Sequence, residues 1–283
     1  TGDDAGNKCD STTMGAAGKY FKKQFQVSKF KLKHGDPTDF YLGCWQRDVA
    51  ALPMLCLRAI IFLGCLAIIL TSMVMTGVGM NFGFWFIYLT HWGLFMITLT
   101  SGFAFAVSWM AYTRGSIEAT FDLPWYVKTY WALYNIGIPL AFFISIYYFT
   151  FLTGFEDVEL AIDPVLDLFI HAINSVLMLL LLVTSRLPSR PLHFFYPVCF
   201  TLVYLIFTVF FYLADGRDPF DNNFIYPTLD WSEPGITTVM VVISAVALIV
   251  VHLVVVGLAL ARNALTRRFR QVVVISDITY SYN

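Results

Sequence analysis

Residues 236–260 read ITTVMVVISAVALIVVHLVVVGLAL, a run in which His252 is the one ionisable side chain. The run exceeds the ~20 residues an α-helix needs to cross a bilayer's hydrocarbon core. Five more apolar runs precede it, at about 49–76, 83–112, 125–153, 165–185 and 193–214. The chain is 58% hydrophobic and 13% charged, whereas soluble domains carry about 25% charged residues. These observations predict an all-α membrane protein, a six-transmembrane-helix bundle. The net charge of −1 says nothing about nucleic acid, but no basic domain stands out, so no nucleic-acid partner is expected. There is no Gly-rich phosphate loop and no zinc-type Cys/His spacing, so neither cofactor nor metal is expected.

The segments between the runs predict direction, because short cytoplasmic loops carry the excess of Lys and Arg. Residues 19–33 hold Lys19, Lys22, Lys23, Lys29, Lys31 and Lys33 among Tyr20, Phe21, Phe25 and Phe30. Residues 78–82 are uncharged, and Arg114 follows the second run. Residues 154–164 hold Glu156, Asp157, Glu159 and Asp163 without a base. Arg186 and Arg190 follow the fourth run. Residues 215–235 set Arg217 against Asp215, Asp218, Asp221, Asp230 and Glu233. Arg262, Arg267, Arg268 and Arg270 follow the sixth run. The alternation predicts both termini in the cytoplasm. Three parts are expected: a cytoplasmic tail over 1–44, a six-helix domain over 45–265 with an external loop 215–235, and a cytoplasmic tail over 266–283. The basic aromatic stretch suits either an anionic leaflet or a solvated tail. No cysteine falls in a predicted external loop, so no external disulfide is expected. Cys44 reads as a buried or reduced thiol, with palmitoylation as the alternative.

Within this plan residues 86–93, Phe-Ile-Tyr-Leu-Thr-His-Trp-Gly, place a hydroxyl, an imidazole and an indole where a lipid-facing helix would have Leu or Val. Polar groups inside a membrane are costly and point to function. Counting from the run starts at ~1.5 Å per residue, Thr90 lies roughly 10 Å in and His171 roughly 9 Å in from the same side. A hydroxyl beside an imidazole is the minimum for an activated nucleophile. Asp167, His171 and Asn174 are spaced i−4, i, i+3 and should share a helical face. Asp167 would then fix the imidazole tautomer. His91, about 100° around the helix from Thr90, should face another neighbour. The alternative for Thr90 is interhelical glue without chemistry. Arg58 is expected to snorkel, Trp125, Tyr126, Tyr130 and Trp131 to form an aromatic belt, and His193 to be interfacial. The external loop is expected to form a partly ordered cap rather than a calcium site, since no EF-hand pattern is present.

Tyr88-Leu89-Thr90-His91-Trp92-Gly93 resembles the Tyr-Leu-Thr-Asn-Trp-Gly stretch of rolling stone proteins, a multi-pass membrane family named for an insect protein needed in myoblast fusion. Residues 224–231, Phe-Ile-Tyr-Pro-Thr-Leu-Asp-Trp, resemble that family's Tyr-Pro-x-x-Asp-Trp loop. The neighbourhood of Arg58, preceded by Trp45, is also similar to the family's first helix. More distantly, the six-helix plan is similar to the androgen-induced and androgen-dependent proteins. These are intramembrane hydrolases of fatty acid esters of hydroxy fatty acids that use a Thr and a His. That resemblance implies Thr90 and His171 as the catalytic pair. His91 departs from both families, which have Asn or an apolar residue there.

Two readings follow. One is an intramembrane hydrolase of a lipid ester, with Thr90 as nucleophile, His171 as base and Asp167, Asn174 and His91 in supporting places. The other is a non-catalytic protein of cell–cell fusion or adhesion, or a subunit packed against another membrane protein. Membrane lipids are partners in both, and the family implies the plasma membrane.

Overall fold

The computed structural model describes residues 24–118, 122–152 and 163–280, with side chains as far as Arg267 in the last helix. Among the described residues six helices are long and apolar enough to cross a membrane: α1 (Leu52–Gly79), α2 (Leu89–Arg114), α3 (Trp125–Leu152), α4 (Pro164–Thr184), α5 (Pro191–Leu213) and α6 (Pro234–Arg267). The backbone of α6 continues helically to Tyr280. Among the described residues there is no β-strand, only one bridge between Gly43 and Ser185. The termini of the helices follow local chemistry. Pro stands in the first turn of α1, α4, α5 and α6, where its missing N–H costs nothing. The Asp163 carboxylate caps α4 by accepting from Val165 N and Leu166 N.

Helix α3 is the hub. In its most apolar 18-residue stretch 56% of the residues are buried, against 17% in that of α5, and α3 packs on α2, α4, α5 and α6. Its close approach to α2 depends on Gly137, where an added Cβ would lie 2.4 Å from Thr100 Oγ1. The helices turn exposed Leu63, Val74, Leu202, Phe210, Val239 and Val242 outward. Water would disfavour such a surface, whereas hydrocarbon accepts it. The chain is an integral, multi-pass membrane protein.

One end of the bundle is held by arginines. Arg58 is fully buried, and its Nη1 donates to Phe40 O (2.7 Å), Ser108 Oγ (2.8 Å) and Ala104 O (3.2 Å). It lies over the Tyr130 ring. The expected snorkelling therefore does not occur, because two backbone carbonyls and the Ser108 hydroxyl inside the bundle take the Nη1 hydrogens, with Nε left buried and without a partner. Arg186 donates to Gly43 O and Gln46 O, Arg190 to Lys31 O and Lys33 O, and Arg262 to Leu182 O and Leu187 O. The Arg58, Arg186 and Arg190 bonds lay residues 29–46 across the end of the bundle, with Phe40, Tyr41 and Leu42 in the core. Lys19, Lys22, Lys23 and the first tail residues lie outside the described residues. Cys44 is a buried thiol bonded to Val183 O. Tyr130 and Trp131 are buried rather than belt-forming, while Trp125 is exposed. His193 is buried against Trp131 and 3.1 Å from Lys29 O.

The opposite end gathers residues 80–88 and 214–233. Tyr204 donates to Ile87 O (2.8 Å), Tyr147 pairs with Thr228 Oγ1 (2.6 Å), and Trp231 Nε1 donates to Thr208 Oγ1 (3.1 Å). The segment 215–233 is thus an ordered cap, with Ile225 and Tyr226 buried. Asp218 serves the cap's own turn, accepting from Phe220 N and Asn222 N. No group of His, Cys, Asp or Glu suited to a metal ion occurs among the described residues. The acidic residues Glu156, Asp157 and Glu159 lie outside the described residues.

Candidate functional site

Thr90 is the second residue of α2, not the eighth of a helix begun at Gly83. Residues Phe82–Ile87 form a 3₁₀ segment, and Tyr88 is extended (φ −90°, ψ 131°) before α2 starts. Hydropathy alone does not distinguish these conformations, so the depth estimate for Thr90 counted the wrong helical residues. The residues flanking Thr90 fix the turn. His91 Nδ1 lies 2.6 Å from Trp85 O, its ring stacked on the Trp85 indole, and Trp92 Nε1 donates to Phe86 O at 2.7 Å. His91 Nδ1 and Trp92 Nε1 are thereby spent on the 3₁₀ segment; the His91 ring still borders the polar cavity, while Thr90 borders both interior cavities. The His-for-Asn departure at 91 falls on the structural bond to Trp85 O.

His171 comes from α4, where Phe169–Ile173 form a π turn. Its Nε2 is 3.5 Å from Thr90 Oγ1, at the outer edge of hydrogen-bonding range. Its Nδ1 is 2.9 Å from Asp167 Oδ1 and 3.1 Å from Asp167 O. A proton on Nδ1 satisfies both oxygens and leaves the Nε2 lone pair toward the threonine hydroxyl. The expected Thr90–His171–Asp167 grouping is therefore present in space. Asn174 is not part of it. The π turn rotates it away from the face that i+3 spacing predicts, and its amide donates to Ile170 O. Nor is His91, which is held by Trp85.

Two residues of the site escaped the sequence reading. Tyr148, in the π-helical end of α3, donates to Asp167 Oδ2 at 2.5 Å and stacks on the His171 ring at 3.6 Å with a 9° interplanar angle. Tyr226 descends from the cap, with its hydroxyl against Thr90 and the amides of Leu89 and Thr90. Burial pushes the Tyr226 phenol up to about 12, against the opposing effect of its bond to Thr90. It stays protonated at neutral pH and available as a donor. Tyr226 was legible as part of the Tyr-Pro-x-x-Asp-Trp stretch, but nothing local ties that stretch to residue 90. Ser145 donates to the His171 carbonyl and pairs with Ser175 (2.6 Å), anchoring the π turn to α3.

Two cavities meet at this point. One, of about 310 Å³, opens toward the cap and is lined by Asp163, Asp167, His171, His91, Tyr88 and Thr76 among others. The other, of about 200 Å³, lies between α2, α3, α5 and α6 and is lined mainly by Phe143, Ile144, Leu202, Leu205, Val241 and Leu248. Thr90, Tyr148 and Tyr226 border both.

Fold and cavities together define a six-helix integral membrane protein with a polar cluster buried between its helices. The sequence pattern described as "Protein rolling stone" matches residues 13–279, and the chain belongs to that family. It is similar to the curated "Protein rolling stone" of Drosophila melanogaster, 30% identical over 225 residues, which cover 77% of this chain and 80% of that relative. No solved structure matches it.

Proposed function

We propose that this rolling stone family protein is an intramembrane hydrolase of a lipid ester, with Thr90 as nucleophile, His171 as general base and Asp167 as the group that orients the imidazole. The observation that carries this reading is the chain of contacts from Asp167 Oδ1 to His171 Nδ1 and from His171 Nε2 to Thr90 Oγ1. It has the roles of a catalytic triad, which is recognised by geometry rather than by order in the chain. Catalytic hydrogen bonds are often long in the free enzyme and tighten around substrate, and the Thr90–His171 separation fits that behaviour.

In this reading Thr90 Oγ1 attacks the ester carbonyl while His171 Nε2 takes its proton. The carbonyl oxygen gains negative charge beside the Tyr226 hydroxyl, which donates to it, while the first amides of α2 donate to the Tyr226 oxygen. The tetrahedral intermediate collapses, breaking the bond to the alcohol oxygen. His171 passes its proton to that oxygen, the alcohol leaves, and an acyl-threonine remains. Water, deprotonated by His171, then attacks the acyl carbonyl and releases the fatty acid with Thr90 restored. Placement in the plasma membrane belongs to the same proposal and rests on the family, and the position of residues 215–235 outside rests on the charge alternation.

The test is labelling of the purified protein by a fluorophosphonate, which captures activated hydroxyl nucleophiles. Wild type is expected to label, and Thr90→Ala and His171→Ala, matched for folded yield, are expected not to. A well-folded wild type that takes no label overturns the hydrolase reading and directs attention to a protein partner for the cap.

A further inference from the structure

The two cavities differ in chemistry, and the catalytic histidine borders only one of them. Resting on the hydrolase reading, the geometry points to a substrate whose alcohol side carries no negative charge: an acylglycerol, held with its glycerol in the polar cavity and its acyl chain in the apolar one. The orientation follows from proton transfer. His171 must protonate the leaving alcohol, so that alcohol sits on the His171 side of Thr90, in the cavity it shares with Asp163, Asp167 and His91. The acyl group then extends to the other side, among Phe143, Ile144, Leu205 and Leu248.

Charge decides what the alcohol side admits. Two carboxylates, Asp163 and Asp167, line the polar cavity, and neither Lys nor Arg does among the described residues. Residues 215–235, at this end, contain five acids and one base, Arg217, and the Arg217 guanidinium is turned to Asp221 O. A carboxylate or phosphate on the leaving alcohol would enter a site of low dielectric with two anions and no lysine or arginine. Such a charge is penalised twice, by desolvation and by repulsion. Glycerol hydroxyls meet no such penalty and find Thr76, His91 and Asp163 as polar neighbours. This departs from the hydroxy fatty acid esters that the distant resemblance implies, since their alcohol side bears a free carboxylate.

The test uses the full chain in a nonionic detergent at a fixed lipid-to-detergent ratio. Hydrolysis of 1-oleoylglycerol is compared with that of 1-oleoylglycerol 3-phosphate. The kcat/KM for the neutral ester is expected to be at least about tenfold higher. Equal or faster cleavage of the phosphate overturns the inference. A second readout needs no chemistry: the ether 1-O-octadecenylglycerol, which cannot be hydrolysed, should raise the Tm, and its 3-phosphate should not. If no ester is cleaved yet the ethers discriminate this way, the hydrolase reading fails and the charge selection stands. If neither ether stabilises the protein, or the phosphate does so as well as the neutral one, the selection itself fails. Asp163→Asn, which keeps an N-cap acceptor, is expected to cut the ester discrimination by about threefold. Unchanged discrimination would remove Asp163 from the argument and overturn the assignment of the acidic lining as its cause.

Discussion

His171 is held at Nδ1 by Asp167, at one ring face by Tyr148 and at its carbonyl by Ser145, with Nε2 left toward Thr90. A ring held this way has one tautomer and one orientation, which is the arrangement a general base requires. Asp167→Asn leaves the packing nearly unchanged but removes the negative charge that stabilises the imidazolium. The expected result is a loss in fluorophosphonate labelling rate of roughly 10²-fold or more, with the thermal midpoint nearly unmoved. Tyr148→Phe removes only the bond to Asp167 Oδ2, so its labelling rate should fall by less, about threefold to tenfold. A Tyr148→Phe loss as large as that of Asp167→Asn would mean that the phenol acts on the reaction directly. Sequence spacing was enough to pair Asp167 with His171, because i and i+4 meet on any helix. It could not exclude Asn174, because a π turn leaves no mark in the side-chain pattern.

The elements show where hydropathy is informative and where it is silent. All six spanning helices coincide with apolar runs, since crossing length and apolarity leave few other assignments. The start of α2 does not, because Phe82–Ile87 is as apolar as the helix that follows. What converts that stretch to a 3₁₀ segment is a set of distant bonds, Trp85 Nε1 to Ser72 Oγ at 3.1 Å and Tyr204 to Ile87 O, which single-segment periodicity does not contain. The arginine end was legible in composition but misread in mechanism. Arg58 looked like a snorkelling residue, whereas it joins α1 to α2 and to the segment before α1. Arg58→Ala should therefore destabilise the fold by about 3–5 kcal/mol, combining lost charged hydrogen bonds with a cavity, measurable as a lower thermal midpoint in detergent. A change below about 1 kcal/mol would show that water replaces the guanidinium at no cost. At the α2–α3 contact, Gly137→Val should cost about 1–3 kcal/mol by overpacking. Thr100 cannot yield, since its hydroxyl is bonded to both Met96 O and Leu133 O.

At the scale of the whole molecule, the two ends differ in kind. One collects buried arginines bonded to carbonyls, and the other collects the acids, the aromatic cap and the mouth of the polar cavity. Charge alternation predicts that the arginine end faces the cytoplasm. The structure adds that Arg186, Arg190 and Arg262 act as latches, so their positions are set by packing as well as by insertion. The two demands agree only if the arginine-latched end is the one retained during insertion, and that makes the orientation testable. Glu233 is exposed on the cap, and Arg114 is exposed at the other end. In a background lacking Cys9 and the exposed Cys56 and Cys199 thiols, Glu233→Cys should react with a membrane-impermeant maleimide on intact cells. Arg114→Cys should react only after the membrane is permeabilised. The reverse pattern would invert the bundle and turn the polar cavity to the cytoplasm. The same acylglycerol selectivity would then operate on the inner leaflet, where anionic lipids make refusal of negative charge a stricter filter.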